Sequence, residues 1–256
     1  MSLFASKSTI YTTYKTLGLL YLFFIVGLFL DSYFMVAITK NAQFYANALM
    51  LFVFVITFFK VTKRLKEQML GAVLIGFFGE YLFSVFLGMY TYRLANVPLY
   101  IPFGHAFVYI AVLCFSKAAA IKKQHIKLEK TFAIFIFIYA AAFLVFKNDI
   151  FGFVMTIATL FILRNKPKER LFYLTMYISV AVLEIIGTTY KCWWWPSTAW
   201  NVIPFLPSHN PPSGISLFYF LLDLGTLWLY KQRHLNTWKR MKNIRNIRLK
   251  LINKTD

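Results

Sequence analysis

Residues 117–170 read KAAAIKKQHIKLEKTFAIFIFIYAAAFLVFKNDIFGFVMTIATLFILRNKPKER, and this stretch shows how the chain is organised. Two short apolar runs, 131–146 and 149–163, are flanked on both sides by strongly basic segments. Basic loops of membrane proteins remain in the cytoplasm, so the chain crosses an even number of times between them. The pattern predicts two transmembrane helices joined by a tight turn at 147–149, with less tilt or local bilayer thinning accommodating their length.

The same alternation of apolar runs and basic loops extends over the whole sequence. Hydrophobic residues make up 59% of the 256 residues, aromatic residues 20%, and the mean hydropathy is +0.61. A soluble domain needs more polar surface than this, whereas a helix in lipid needs about 20 apolar residues. We predict an all-α, polytopic integral membrane protein with a single transmembrane domain over 1–230. Its eight helices are expected near 17–39, 42–59, 68–90, 99–116, 131–146, 149–163, 171–189 and 214–230.

The distribution of basic residues predicts how these helices are oriented. With the short basic loops in the cytoplasm, cytoplasmic segments contain 24 of the 28 Lys and Arg residues, and outer segments contain Lys40, Arg93, Lys147 and Lys191. This asymmetry is the usual topology signal, and it predicts that both chain ends are cytoplasmic. We expect a bacterial cytoplasmic (inner) membrane. Because no base-reading motif accompanies the formal charge of +19, membrane lipids rather than nucleic acid are the expected partners.

The last segment of the chain, 231–256, is predicted to be a basic cytoplasmic tail. It contains spaced apolar residues, namely Trp238, Met241, Ile244, Ile247 and Leu251. An amphipathic helix on anionic lipid has this pattern, and so has a solvated basic tail that reinforces the topology. The sequence leaves both interpretations open.

A short internal similarity relates the third and fourth runs to the seventh and eighth. In both pairs, a Glu in the first helix precedes an aromatic residue by ten positions, and a Pro-x-Gly before the second helix precedes a Tyr by five. The residues are Glu80, Tyr90, Gly104 and Tyr109 in one unit and Glu184, Trp194, Gly214 and Tyr219 in the other. Because the paired runs have the same orientation, we predict a parallel four-plus-four repeat over 17–116 and 131–230.

Four of the nine acidic residues lie inside apolar runs, namely Asp31, Glu80, Glu184 and Asp223, and His105 joins them in the fourth run. An ionisable group at the bilayer centre costs about 2.5–3.5 kcal/mol on insertion scales, so it usually has a partner or a function. With the predicted orientation, all five fall in the outer half of the membrane, where one cavity is able to hold them. We predict Glu80, Glu184, Asp223 and His105 as catalytic residues. Structural pairing is the alternative, above all for Asp31.

Aromatic and polar residues near the outer ends of the helices are the predicted substrate contacts: Tyr90, Tyr92, Tyr109, Trp194, Trp195, Tyr219 and Asn210. The longest outer loop contains three consecutive Trp residues, which do not all point one way on a regular element, so at least one is expected to face inward. An interfacial aromatic belt is the alternative. The sequence has no His pair at i, i+4 spacing, so neither a metal nor another cofactor is expected.

Glu80 is followed by a Tyr-x-Tyr segment at Tyr90 and Tyr92 and by Val-Pro-Leu-Tyr-Ile-Pro at 97–102. In this combination the chain resembles the membrane carotenoid-biosynthesis hydratase family over residues 80–109. His105 stands where the resemblance leads us to expect an aromatic residue. The resemblance implies hydration of an isolated isoprenoid double bond.

The residues at hand fit such a reaction. A protonated, desolvated carboxylic acid donates a proton to the alkene, aromatic faces stabilise the tertiary cation, and a second carboxylate or His105 deprotonates the attacking water. Glu80, with Glu184 or Asp223, is the expected acid–base pair. The predicted function is a membrane-embedded enzyme of hydratase, cyclase or isomerase type that acts on a lipidic substrate such as an isoprenoid. The alternatives are a proton-coupled small-molecule transporter and a structural subunit of a membrane assembly.

Overall fold

The computed structural model describes residues 7–240 and residue 243, with side chains from Tyr14 onward. The helices are α1 (Lys7–Phe29), α2 (Tyr33–Val36), α3 (Ala42–Lys60), α4 (Lys63–Glu80), α5 (Tyr100–Lys117), α6 (Ala119–Lys122), α7 (His125–Lys147), α8 (Ile150–Arg164), α9 (Arg170–Thr189) and α10 (Ser216–Arg233). A π-helical turn (Tyr81–Phe86) follows α4 directly, and residues 235–240 are helical. Four short strands are β1 (Thr91–Tyr92), β2 (Trp193–Trp194), β3 (Thr198–Ala199) and β4 (Ile203–Pro207).

The helices confirm the all-α class and the membrane-embedded character of the chain. Within the described residues, six helical segments are long and apolar enough to cross a membrane, namely Tyr14–Val36, Ala42–Lys60, Lys63–Phe86, Tyr100–Lys117, His125–Lys147 and Arg170–Thr189. Helix α8 is apolar but has 15 residues. Helix α10 is more polar, because Asp223 lies within it and basic residues form its last turn. Of the predicted amphipathic tail, Met241, Ile244, Ile247 and Leu251 lie outside the described residues.

The first apolar run is interrupted where the sequence analysis predicted one continuous helix over 17–39. Helix α1 ends at Phe29, and the chain turns at Asp31 and Ser32 before the short helix α2. The Ser32 side chain caps α2 by accepting a hydrogen bond from the Met35 N–H at 3.1 Å. Ser32 therefore marks a turn inside an apolar run, because its side chain satisfies a backbone N–H that a helix start leaves unpaired.

The fifth run is longer than predicted, whereas the turn after it agrees with the prediction. Helix α7 begins at His125 and has 23 residues. Of the two helices predicted to be short, only α8, with 15 residues, is short. Helix α7 therefore begins several residues before the apolar run, within the basic segment that precedes it. Asn148 forms the tight turn in the left-handed conformation, with a φ of 54°. Asn tolerates this conformation better than most residues.

The long connections meet at one end of the bundle, which we call the loop end (residues 30–41, 87–99, 147–149 and 190–215). Strands β1 and β2 pair there in antiparallel fashion, with Thr91 opposite Trp194 and Tyr92 opposite Trp193. Strands β3 and β4 form a separate hairpin close to α8. The other end, here called the basic end, contains the short connections rich in Lys and Arg. There, Glu67 of α4 contacts His234 beyond α10 at 2.5 Å.

Asp149 fixes the longest connection of the loop end to the start of α8. Its carboxylate accepts hydrogen bonds from the backbone N–H groups of Gly152 at 3.1 Å, His209 at 3.1 Å and Ser213 at 2.7 Å. The side chain is fully buried. A carboxylate at a helix N-terminus is favoured by the free N–H groups and by the helix dipole. Asp149 was predicted as part of a tight turn, and its role in the loop was not anticipated.

Gly187 lets the second strand approach α9 closely. A Cβ at this position would lie 2.1 Å from Cζ2 of Trp193, and Trp193 is buried. A methyl group there must displace this indole ring, and overpacking of this kind costs about 1–3 kcal/mol in a well-packed core.

We expect Gly187→Ala to lower the thermal unfolding temperature in detergent, measured by far-UV circular dichroism. Gly18→Ala is the matched control, because a Cβ at Gly18 meets nothing within 4 Å. In an open helical position, Ala is more favourable than Gly by about 0.8–1.0 kcal/mol. Equal stability of the two variants would contradict the packing described here.

Candidate functional site

A cavity of about 960 Å³, counting its open mouth, lies in the half of the bundle next to the loop end. Its wall combines the loop-end halves of α1, α3, α5 and α10 with Glu80 of α4 and Glu184 of α9. Among the described residues that line it, eleven are Phe, Tyr or Trp, and none is Lys or Arg. The cavity is therefore an apolar, aromatic space with two carboxylates and His105 as its ionisable groups.

Glu80 is held by three side chains of the first unit. Its Oε2 accepts hydrogen bonds from the Tyr90 and Tyr92 hydroxyl groups, each at 2.5 Å, and its Oε1 lies 2.7 Å from His105 Nε2. Glu80 is 3% exposed. The imidazole and the carboxylate are thus placed to share a proton.

The backbone after Glu80 turns back, so that Tyr90 and Tyr92 reach the Glu80 carboxylate. The π-helical turn widens the helix end, and Gly88 then adopts a φ of 59°, which glycine reaches without steric cost. π-helical turns occur frequently at functional sites. One turn before Glu80 on α4, a Cβ at Gly76 would lie 3.3 Å from the His105 side chain, so glycine allows α5 to bring His105 against α4.

Glu184 is held by a corresponding set of donors in the second unit. Its Oε2 accepts from the indole N–H groups of Trp193 at 2.8 Å and Trp195 at 3.0 Å, and its Oε1 accepts from the Tyr219 hydroxyl at 2.9 Å. An indole N–H only donates, so these partners match an ionised carboxylate. Hydrogen bonds to charged groups are worth about 1.5–3 kcal/mol each, which offsets the cost of burying this charge.

The two carboxylate clusters face each other across the antiparallel pair of β1 and β2. The rings of Tyr90 and Trp195 are in contact, with centroids 4.4 Å apart, and the rings of His105 and Tyr219 are 4.9 Å apart. Each cluster thus has two aromatic donors from a strand and one donor from the following helix.

Most of the predicted site residues are brought together. The cavity wall includes Glu80, Glu184 and His105 and the predicted contacts Tyr90, Tyr92, Trp195 and Tyr219. Asp223 and Tyr109 are not part of this wall. Asp223 lies one helical turn beyond Tyr219 towards the basic end, where it interacts electrostatically with Tyr109 and Tyr173. One turn of helix rises about 5.4 Å. Asp223 therefore lies about that much closer to the basic end than Tyr219, although both residues are on the same polar face of α10.

Trp194 and Asn210 also lie outside the cavity. Trp194 is 45% exposed, and Asn210 accepts a hydrogen bond from the Trp195 N–H at 2.9 Å. The residue that was missed is Trp193. Alternate residues of a strand share a face, so the paired spacings Tyr90/Tyr92 and Trp193/Trp195 identify the inward side chains. The sequence comparison had matched Tyr90 with Trp194. In the structure, the residues that correspond to the two tyrosines are Trp193 and Trp195, one position to either side of Trp194.

The partners of Asp31 at the loop end indicate that its role is structural. It is fully buried, forms an ion pair with Arg93 and accepts a hydrogen bond from the Tyr100 hydroxyl at 2.9 Å. Arg93 Nε also donates to the Asp31 carbonyl oxygen at 3.1 Å. These bonds connect the end of α1 to the segment between β1 and α5. Within the described residues, no group of three or more His, Cys, Asp or Glu side chains is arranged to hold a metal ion.

Comparison of the chain with protein-family models, with curated proteins and with solved structures finds no match.

Removal of the Asp31 charge is expected to destabilise the fold. Asp31→Asn leaves the partly buried Arg93 without its ionic partner, which costs up to the roughly 3–5 kcal/mol found for breaking a buried ion pair. Glu129→Gln is the control, because its pair with Arg170 is longer, at 3.7 Å, and more exposed, and such pairs contribute less than about 1 kcal/mol. Thermal unfolding in detergent compares the two. If Asp31→Asn unfolds at the wild-type temperature, the structural assignment of Asp31 is wrong.

Proposed function

We propose that the protein is a membrane-embedded enzyme that acts on a lipidic substrate, of isoprenoid type, by carboxylate acid–base chemistry. The observation that supports this most directly is the Glu80–His105 contact of 2.7 Å in the wall of an aromatic cavity. A cavity with apolar walls binds a hydrocarbon segment, and a shared proton beside it supplies the acid. The resemblance of residues 80–109 to carotenoid hydratases points to the same chemistry.

In this proposal the two carboxylate clusters have different tasks. The Glu80–His105 pair donates a proton to a substrate double bond, which leaves a tertiary cation on the adjacent carbon. The faces of Tyr90, Trp195 and the other rings stabilise that cation, and the ionised Glu184 contributes its negative charge. In a hydratase, water then adds to the cation and its proton returns to the Glu80–His105 pair. In a cyclase or isomerase, a proton is instead removed from carbon.

We further propose that all eight apolar runs cross the membrane and that the loop end faces outward, with both chain ends in the cytoplasm. The charge asymmetry supports this, since the loop-end segments contain Lys40, Arg93, Lys147 and Lys191, and the remaining basic residues lie towards the other end. A bacterial cytoplasmic membrane fits this orientation. The equivalence of the Glu80 and Glu184 clusters supports a parallel repeat of two four-helix units.

Transport is the second candidate, and Asp223 is the observation that favours it. Asp223 is 8% exposed, and its Oδ2 has no hydrogen-bond partner among the described residues. A buried carboxylate near the middle of a transmembrane helix is a common proton carrier in coupled transporters. Against this, the cavity is formed by the loop-end half of the bundle, whereas alternating access requires groups that bind and gate from both sides.

Lipid extracts of cells that express wild type or Glu80→Gln test the enzymatic proposal. Glu80→Gln removes the exchangeable proton and retains the shape of the side chain. General acid–base catalysis contributes about 10²–10⁴ in rate, so the product lipid is expected to fall below detection and its precursor to accumulate. Mass spectrometry of the two extracts measures this difference.

Two further variants make the result interpretable. Glu67→Gln, at the basic end, is the control and is expected to leave the lipid profile unchanged. Asp223→Asn separates the two candidates, because a transporter that uses this carboxylate loses proton-coupled uptake. Identical lipids in wild type and Glu80→Gln, together with solute uptake that depends on Asp223, would contradict the enzyme and favour the transporter.

A further inference from the structure

A second cavity lies at the surface of the loop end, directly above the one that contains the carboxylates. It has a volume of about 650 Å³, counting its open side, and Trp193 belongs to the walls of both cavities. The indole of Trp193 donates to Glu184, so this ring lies at the boundary between the two cavities. We call this second space the outer cavity.

The outer cavity brings together two of the four basic residues of the loop-end segments. Arg93 and Lys191 both line it, although they are far apart in the sequence. The strand pair causes this meeting, since the Arg93 N–H donates to the Cys192 carbonyl oxygen at 2.9 Å. In a chain that concentrates positive charge at its other end, two cations at one loop-end cavity are a departure from the general pattern.

Three side chains in the otherwise largely apolar wall of the outer cavity carry charged or amide hydrogen-bond donors, namely those of Arg93, Lys191 and Asn210. Arg93 is oriented by Asp31, which is fully buried behind it, and its Nη1 carries two further N–H donors. Asn210 uses its oxygen to accept from the Trp195 N–H, so its amide nitrogen is the donor that remains. Among the described residues, no acidic side chain lines this cavity.

Lys191 occupies a backbone position that lysine does not favour. It follows the end of α9 with a φ of 56°, a left-handed conformation that glycine or asparagine adopts at this place in most helices. Its ammonium lies 5.0 Å from the centre of the Tyr33 ring, which also lines the cavity. The hydrogen bonds that end α9 hold this conformation, with the Lys191 N–H donating to the Thr188 carbonyl oxygen and the Cys192 N–H to the Gly187 carbonyl oxygen.

From the convergence of Arg93, Lys191 and Asn210, we propose that the outer cavity binds a phosphate-type anion, the headgroup of an amphiphile whose chain enters the cavity of Glu80 and Glu184. Guanidinium, ammonium and amide donors are the groups that recognise phosphate oxygens. The position beyond Trp193 suits a headgroup at the membrane surface with its hydrocarbon part below. The connection to the inner cavity rests on the proposed function, whereas the anion site itself does not.

Binding is measured with the full-length protein in nanodiscs of phosphatidylcholine, which offers no competing anionic lipid. The probes are farnesyl phosphate, inorganic phosphate and the neutral farnesol, followed by the quenching of tryptophan emission, because Trp193 and Trp194 line the cavity. Lys191→Gln removes the charge, and its dissociation constant for farnesyl phosphate is expected to rise about tenfold. Farnesol is expected to bind with the same affinity to wild type and Lys191→Gln.

Two variants keep the test independent of folding. Lys191→Gly removes the charge and also relieves the backbone strain, so it is expected to weaken binding without lowering the unfolding temperature. Lys147→Gln removes another loop-end cation that does not line the cavity, and it is expected to bind like wild type. Wild-type affinity for both phosphate compounds in folded Lys191→Gln and Lys191→Gly would overturn the proposal.

The remaining outcomes identify the source of the anion. Tighter binding of farnesyl phosphate than of inorganic phosphate supports the headgroup of an amphiphile. Equal affinities that both fall in Lys191→Gln support the anion site and overturn its connection to the inner cavity. Glu80 does not line the outer cavity, so Glu80→Gln is expected to bind inorganic phosphate like wild type while the proposed reaction is lost. A failure of the proposed reaction and a failure of the anion site therefore give different results.

Discussion

The pairing of β1 with β2 is the contact on which the rest of the site depends. It joins two segments about a hundred residues apart, and its register places Tyr92 opposite Trp193. With that register, Tyr90, Tyr92, Trp193 and Trp195 all point towards the two buried carboxylates. Because side chains alternate along a strand, a slip of one residue would turn the two donors of the shifted strand away from their carboxylate.

The energetic reason for this arrangement is the cost of a buried charge. The effective penalty for taking one carboxylate out of water is several kcal/mol, and an apolar cavity offers no solvent to reduce it. Three donors for each carboxylate meet that cost, and aromatic donors do so without making the cavity hydrophilic. The same rings therefore stabilise the two acids and form the surface that a hydrocarbon substrate would contact.

The sequence predicted the membrane class and the positions of the helices because hydropathy and charge act over whole segments. It also predicted that Glu80, His105 and Glu184 share a cavity, since the direction of each helix gives the depth of each residue. It did not distinguish Asp223, which lies one turn deeper than Tyr219, because depth along a helix does not show which neighbours a side chain meets. Trp193 was missed because the register of two short strands depends on a long-range pairing that local sequence does not encode.

The buried acids of this chain consequently differ in what surrounds them. Asp31 and Asp149 are bound by an arginine, a phenol or backbone N–H groups, and they join loops to helices. Glu184 is bound by donors alone, as suits a fixed negative charge, whereas Glu80 contacts an imidazole that is able to exchange its proton. This difference is what makes Glu80 the expected acid.

The most direct test of that assignment follows a proton into the lipid. Purified protein is incubated in D₂O with the lipids of cells that carry Glu80→Gln, and the lipids are then analysed for deuterium bound to carbon. The account predicts at least one carbon-bound deuterium per converted lipid with wild type and none with Glu80→Gln. Equal deuterium contents with both proteins would contradict it.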